Sequence, residues 1–318
     1  MGNAITLLEK NRLRMKELLL ELTNGEGMRE SALEGVKFAR SNHSRPRGPV
    51  MYEPSIFIMA NGRKRGFVGD VEFTYDAHNY LVLTAPLPFE CESEVPEDGP
   101  ILGVSILMDL SVVSELAMKM EVRKKPDSVD VLRSMCAIPM NEYMTEATVR
   151  LLECLRSPMD ATILGPAIVR EITYRVLCGP QGAALVAMLG RNGTLAQIHT
   201  ALNQIHSDYD KPIDVPTLAS EVGMSISSFH HNFKAVTENS PLQYLKAIRL
   251  HKARMFMVHD GIGAAQAADR VGYESASQFS REFKRFFGKS PLEEASFVRT
   301  VLGLPAPTLS SNEQVVVA

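Results

Sequence analysis

The chain has 318 residues, 45% of them hydrophobic, and 34 Lys and Arg against 37 Asp and Glu give it a formal charge of −3. That composition excludes a disordered, collagen-like or disulfide-stapled protein, and the length favours two domains, each large enough to bury a core. No run of about 18 uncharged apolar residues occurs, so neither a transmembrane helix nor a membrane partner is expected.

The first twenty residues are predicted to form an amphipathic helix. Glu9, Lys10, Arg12, Arg14 and Lys16 break the apolar run that a signal peptide would need. Residues 1–49 are assigned to this helix and a lead-in. From 50 to 109 the chain breaks into β-rich runs at 55–61, 65–68, 71–76, 79–84, 89–95 and 101–108. Turn residues such as Asn61-Gly62 and Gly69-Asp70 separate them. Five or six strands at this spacing predict a small antiparallel barrel or sandwich. The stretch VEFTYD alternates, with Val71, Phe73 and Tyr75 on one face and Glu72 and Thr74 on the other.

Beyond Met108 the pattern turns helical. Met144, Ala147, Leu151 and Leu155 form one stripe and Leu164, Ile168, Ile172 and Val176 another, so two helices either cover the barrel or pair with a second subunit. The barrel with its covering helices is placed at 50–178. A linker at 179–193 follows, a short helix between glycines. A second, all-helical domain is placed at 194–299, and a frayed tail at 300–318. Cys91, Cys136, Cys154 and Cys178 include no CxxC pair and no zinc spacing, so reduced core thiols in a cytosolic protein are expected.

The informative feature is an internal repeat. Phe229-x3-Phe233-x6-Ser240-Pro241 recurs as Phe279-x3-Phe283-x6-Ser290-Pro291, and Ala219-x2-Val222-Gly223 recurs as Ala268-x2-Val271-Gly272. Each copy spells a helix, a glycine turn and a capped second helix. Asp214, Ser225 and Ser275 are the predicted caps, and Gly223 and Gly272 supply the positive φ of a tight turn. The small Ala219 and Ala268 sit where the helices cross. Ser240-Pro241 starts a long connecting helix that ends before Gly261, about 18 residues or roughly 27 Å. Between Ser225 and Pro291 there are ten Lys and Arg against five Asp and Glu, and six of the eight histidines fall in the last 120 residues. An acidic chain thus carries one basic segment, where double-stranded DNA would dock.

FHHNFKAVTENSPLQYLKAIRLHKAR and ADRVGYESASQFSREFKRFFGKSP resemble the two motifs of the AraC/XylS family of bacterial transcription regulators. YEPSIFIMANGRKRGFVGD, with NYLVLT after it, is similar to the cupin-like regulatory domain of one AraC subgroup. The resemblance implies an α+β chain: a cupin-like antiparallel β-barrel with covering helices, then an all-α domain of two helix-turn-helix motifs joined by a long helix. It implies a ligand-responsive activator or repressor bound to promoter DNA, a homodimer, with RNA polymerase as a further partner if it activates. No cofactor is implied.

On the first recognition helix the phenylalanines point inward, which turns Ser227, Ser228, His230, His231 and Lys234 toward solvent. By resemblance Ser227, His230 and His231 take the base- and backbone-contacting positions. Related sequences often carry arginine at His231 and glycine at Glu238. The first departure removes a bidentate guanine fork; the second predicts an altered turn where the chain leaves the helix. On the second helix Ser275, Ser277, Gln278 and Arg281 face outward with Ala276. Arg281 matches a base-contacting arginine of the family, and Gln278 has the chemistry to pair with adenine. Lys284, Arg285 and Lys289 are phosphate candidates.

In the N-terminal region Arg63, Lys64 and Arg65 form a basic hairpin. Arg63 and Lys64 are the ligand-binding candidates, for an anionic or carbonyl effector, with a solvated hairpin tip as the alternative. A metal site at His78 with Glu53 or Glu72 would make the barrel an enzyme with a DNA-binding appendage, but only His43 and His78 occur before residue 190 and no HxH pair exists. Neither a metal nor a catalytic residue is expected. Gly288-Lys289-Ser290 mimics the end of a phosphate-binding loop without the earlier glycine that loop requires. A DNA-binding dimer without effector remains the second reading.

Overall fold

The computed structural model describes residues 5–69, 71–120, 134–180, 182–189, 193–302 and 304. Contacts divide the chain into two compact units. One comprises Met1–Ser207 with Asp214–Tyr244, and the other comprises Asp208–Ile213 with Leu245–Ala318.

The first unit opens with helix α1 (Leu7–Leu22), capped by Thr6, whose side chain accepts from the Glu9 backbone N–H. Among the described residues ten strands follow: β1 (Gly27–Glu30), β2 (Val36–Ser41), β3 (Arg45–Tyr52), β4 (Ser55–Asn61), β5 (Arg63–Val68), β6 (Val71–Asp76), β7 (Asn79–Leu83), β8 (Leu87–Glu94), β9 (Ile101–Leu107) and β10 (Met135–Pro139). They build two antiparallel sheets, ordered β1-β2-β9-β4-β7-β10 and β3-β8-β5-β6. The six expected strands are present. Four more, β1 to β3 and β10, were not foreseen, and three of them lie wholly or partly before residue 50. Arg29, Glu30, Arg45 and Arg47 with Pro46, Gly48 and Pro49 hide the alternation of β1 and β3, neither of which has a fully buried residue. The region after Met108 is therefore not purely helical.

The two sheets close on a shared apolar interior. Ala39, Phe57, Met59, Leu81, Leu83 and Ile101 come from the six-stranded sheet, and Tyr75, Phe89 and Cys91 from the other. Strand β4 is buried along its whole length, as expected of a strand covered on both faces. Gly66 has no side chain because the Phe73 ring lies across it: a Cβ there would sit 2.0 Å from that ring.

Helix α1 packs over β4 and β9, and the helices α2 (Leu110–Lys119), α3 (Glu142–Cys154) and α4 (Pro158–Leu177) join it. The α3 stripe Met144, Ala147, Leu151 and Leu155 is buried. The second stripe holds only at Ile172 and Val176. Leu164 is exposed and Ile168 half-buried, because the outer half of α4 has no partner helix among the described residues. Cys91 and Cys154 are core thiols, whereas Cys136 is half-buried and Cys178 exposed, so only two of the four fit that expectation. Helix α5 (Gly182–Leu189) is the short helix foreseen between glycines. No described helix is long and apolar enough to cross a membrane.

The first motif completes this unit with α6 (Thr194–Ser207), α7 (Val215–Glu221) and α8 (Ile226–Thr237). Helix α9 (Pro241–Met255) is opened by a reciprocal cap. The Ser240 backbone N–H donates to Gln243 Oε1 at 3.3 Å, and the Gln243 N–H donates to Ser240 Oγ at 3.4 Å. A π turn (Phe256–Asp260) ends it at Gly261, with φ of 69°, where the sequence places the end. In the second unit α10 (Ala264–Arg270), α11 (Ala276–Phe287) and α12 (Pro291–Val301) pack with the end of α9 around Phe279 and Phe283. Nearly all of the predicted tail lies outside the described residues.

Candidate nucleic-acid interface

The two copies of the repeat have one local geometry. Phe229 and Phe233 are fully buried, with ring centroids 5.5 Å apart at 51°. Phe279 and Phe283 are also fully buried, at 5.4 Å and 55°. The tight turns use Gly223 at φ 70° and Gly272 at φ 77°, a region costly for any residue bearing a Cβ. At Gly272 a Cβ would also strike the Asp210 carbonyl. Ser225 accepts from the Ser228 N–H and Ser275 from the Gln278 N–H, each at 3.3 Å. Asp214 caps α7 by accepting from the Thr217 N–H at 2.9 Å, and its carboxyl titrates below the usual range because the Thr217 hydroxyl and N–H donate to it.

With both phenylalanines turned in, helical periodicity presents the other faces outward. Ser227, Ser228, His230, His231 and Lys234 are all exposed on α8. On α11 Ser277, Gln278, Arg281, Lys284 and Arg285 are exposed with Ala276, while the cap Ser275 is half-buried. Arg281 Nε donates to the Ser277 carbonyl at 3.3 Å, which aligns the guanidinium along the outer face. Lys289 is half-buried, its ammonium over the Phe297 ring at 3.4 Å, so it lies apart from the exposed row.

One organising residue escaped the sequence reading. Glu282 accepts from Lys246 at 3.0 Å, from the Tyr273 hydroxyl at 2.9 Å and from Gln278 Nε2 at 3.4 Å. Burial opposes its charge, but these donors outweigh burial and lower its pKa. It thus holds Gln278 on the outer surface. A lone acid within Gln-Phe-Ser-Arg-Glu-Phe-Lys-Arg gives no hint of this.

Glu238 is the one described non-glycine residue with a positive φ, 56°. The turn foreseen as altered is kept: the Glu238 N–H donates to the Lys234 carbonyl at 2.7 Å, as Gly288, at φ 79°, donates to Lys284 at 2.8 Å.

The end of α8 is also tied to the barrel within the first unit. The Ser134 hydroxyl donates to the Val236 carbonyl at 2.8 Å, satisfying one of the carbonyls a helix leaves orphaned at its C-terminus. The fully buried Tyr244 donates its hydroxyl to the Pro86 carbonyl. That carbonyl only accepts, so the phenol hydrogen goes there, and His206 Nε2, 2.9 Å away, must carry the hydrogen it donates to the phenol oxygen. Nothing in LQYLKA distinguishes such a residue from ordinary core.

The ligand candidates separate. Strand alternation turns Arg63 and Arg65 outward, toward Asp76 at 3.9 Å and toward Glu72 and Glu92. Lys64 alone turns in: its Nζ donates to the Tyr52 hydroxyl at 3.2 Å. His78 sits exposed in the β6–β7 turn, and among the described residues no group of three or more His, Cys, Asp or Glu stands ready for a metal ion.

Residues 32–184 match the family of AraC-type transcriptional regulator N-termini, and residues 218–295 match a helix-turn-helix domain. Over 95 residues, 30% of this chain and 31% of the relative, the sequence is 37% identical to the HTH-type transcriptional regulator AlkR of Acinetobacter baylyi. Over 125 residues, 39% of this chain and 44% of the relative, it is 28% identical to the HTH-type transcriptional activator RhaS of an Enterobacter species. The chain thus spans about a third of the length of the first curated relatives it matches. Among solved structures, the unsaturated fatty acid bound ToxT of Vibrio cholerae shares the fold, with a TM-score of 0.57 at 13% identity over 86% of this chain and 96% of that one.

Proposed function

Because the chain belongs to the AraC/XylS family of transcriptional regulators, we propose that it is a one-component regulator: its two helix-turn-helix motifs read promoter DNA, and a small-molecule effector in the N-terminal barrel governs that reading. The observation that carries DNA reading is the duplicated pair of capped helices, each with its aromatic face sunk and a polar or basic face free. Arg281 supplies a guanine fork, Ser227, His230 and His231 the first motif's contacts, and Lys234, Lys284 and Arg285 the phosphate contacts that position without specifying.

Two bonds support control by the barrel. Pro86 lies between β7 and β8, which carry the interior residues Leu83 and Phe89, and it receives the Tyr244 hydroxyl. Ser134 opens β10 and holds the C-terminal end of the recognition helix. A ligand that moves β8 would move the seat of α8. The ToxT fold neighbour, with a fatty acid bound, supports the pairing of this architecture with a small molecule.

The test is DNA affinity, measured by anisotropy on genomic fragments that co-purify with the full chain, with and without compounds that raise its melting temperature. Expected are salt-dependent, sequence-selective binding and an affinity changed by the stabilising compound. Absence of selective binding defeats the DNA reading. Selective binding that no stabilising compound alters defeats effector control and favours the effector-free dimer. Dimerisation through α4 is supported by its exposed Met159, Ile163 and Leu164. Sedimentation of Ile163→Glu tests it, a monomer being expected. A cytoplasmic site, where promoter DNA lies, follows from this role, as does contact with RNA polymerase if the protein activates, which transcription with purified polymerase would reveal. Action by binding rather than catalysis is tested by metal analysis of the purified chain, no stoichiometric metal being expected.

A further inference from the structure

The barrel interior holds a chain of polar groups that the DNA interface does not use. Lys64 Nζ donates to the Tyr52 hydroxyl at 3.2 Å, that hydroxyl lies 3.3 Å from the Tyr75 hydroxyl, and Tyr75 lies 3.6 Å from Cys91 Sγ. Aromatic rings wall the group. The Lys64 ammonium stands 5.1 Å from the Phe57 centroid and 5.8 Å from that of Tyr52, with Phe89 5.1 Å from Tyr52 and 5.9 Å from Phe73. Tyr52, Lys64 and Phe73 are only half-buried, so this end of the interior opens to solvent, while Phe57, Tyr75, Phe89 and Cys91 lie deeper.

The charge here is uncompensated. Burial pushes the Tyr75 phenol far up and raises the Cys91 thiol, so both stay neutral at physiological pH. Burial opposes the charge on Lys64, but Tyr52 and Cys91 outweigh it and its pKa rises, which leaves the amine an ammonium. Among the described residues no carboxylate comes within 4.0 Å of it, whereas the outward Arg63 and Arg65 both have acidic partners. An ammonium at the edge of an apolar interior, with a phenol and aromatic rings beside it but no counter-ion, is a seat for an anionic guest.

We propose that this mouth is the effector site and that it takes a small, flat, apolar monocarboxylate, whose carboxylate pairs with Lys64 Nζ and the Tyr52 hydroxyl while its body lies against Phe57, Phe73 and Phe89. The assignment rests on the effector-controlled reading above and narrows it. One ammonium and one phenol match one negative charge and leave a phosphate dianion half-paired. The polar atoms are a short chain that satisfies itself, too few for a sugar's hydroxyls; aromatic walls favour a flat apolar body.

The experiment is calorimetric titration and thermal shift of the full chain with phenylacetate and its neutral counterpart phenylacetamide, on the wild type, Lys64→Met, Lys64→Arg and Tyr52→Phe. Phenylacetate is expected to bind saturably and raise the melting temperature, with the amide at least tenfold weaker. Lys64→Met should abolish the preference for the acid, Lys64→Arg retain part of it, and Tyr52→Phe weaken the acid severalfold. Circular dichroism and cooperative thermal unfolding without ligand establish that the variants fold. Equal binding of acid and amide, acid binding that survives Lys64→Met, or no saturable binding up to about 10 mM, beyond the weak end of specific affinity, overturns the assignment. A metabolite screen separates the two readings: a neutral or cationic ligand that Lys64→Met still binds sinks the carboxylate and leaves effector control standing, whereas a screen without any ligand sinks both.

Discussion

Glu238 occupies a left-handed conformation that glycine occupies in the second copy, at Gly288. For a residue bearing a Cβ that costs about 1 kcal/mol. Glu238→Gly is therefore expected to raise stability by about 0.5–1 kcal/mol, read as a higher urea midpoint for the first unit, and any loss of stability would mean the side chain makes a contact outweighing the strain. Arg281 is the residue with the geometry for a base fork: exposed, with its Nε held by the Ser277 carbonyl. Arg281→Ala should cost about 1–3 kcal/mol of DNA affinity and relax preference at one base pair, whereas Lys284→Ala should weaken all sequences alike and flatten the salt slope by about one unit. Unchanged affinity on promoter fragments for Arg281→Ala would show that α11 enters the groove by another face.

Between elements, the phenol of Tyr244 joins helix α9, helix α6 and the turn before β8 through Pro86 and His206. Tyr244→Phe keeps the ring that meets Phe233 edge-on at 5.4 Å but removes the hydrogen bonds of its hydroxyl to the Pro86 carbonyl and to His206. The expected loss is about 1–3 kcal/mol in urea unfolding of the full chain. Under effector control it also weakens the effect of ligand on DNA affinity more than the affinity itself; equal loss of both would make Tyr244 a packing residue only. At this scale the sequence was uneven. Strand 55–61 ends where its continuous apolar run ends and strand 71–76 where its alternation ends, and both helix-turn-helix copies follow their Gly, Ser and Phe spacing. Strands β1 and β3 escaped because they lie at sheet edges with no fully buried residue, and such strands need no strict alternation. The basic hairpin was visible, but which of its three cations turns inward depends on register, and register follows from pairing β5 with β6 and β8, which lies outside any local window. The bonds of Tyr244 and Glu282 escaped for the same reason.

Across the whole molecule, two buried histidines set the acid limit. His199 and His251 each keep an Nε2 with no hydrogen-bond partner. Burial lowers His199 to about 4, and burial with the nearby Arg254 charge takes His251 well below its ordinary value. The unfolded chain titrates near 6.5, so below that pH it binds protons the folded chain refuses. Stability is complete above about pH 6.5 and declines as pH falls toward 4, by up to about 1.4 kcal/mol per pH unit for each histidine. The melting temperature should therefore drop between pH 7 and 5, with a shallower slope in the His199→Leu, His251→Leu double variant. Identical slopes would place the acid sensitivity elsewhere.

The path of the backbone has a practical consequence. Asp208–Ile213 follows α6 in the chain yet belongs with the second unit, where the Arg249 guanidinium gathers the carbonyls of Tyr209, Lys211 and Gly272. The polypeptide therefore crosses from one body to the other three times, and no single scissile point yields both pieces intact. A fragment starting at α9 would lack two of the acceptors that Arg249 clamps, so a shortened protein meant to retain the second reading helix should start upstream of residue 208.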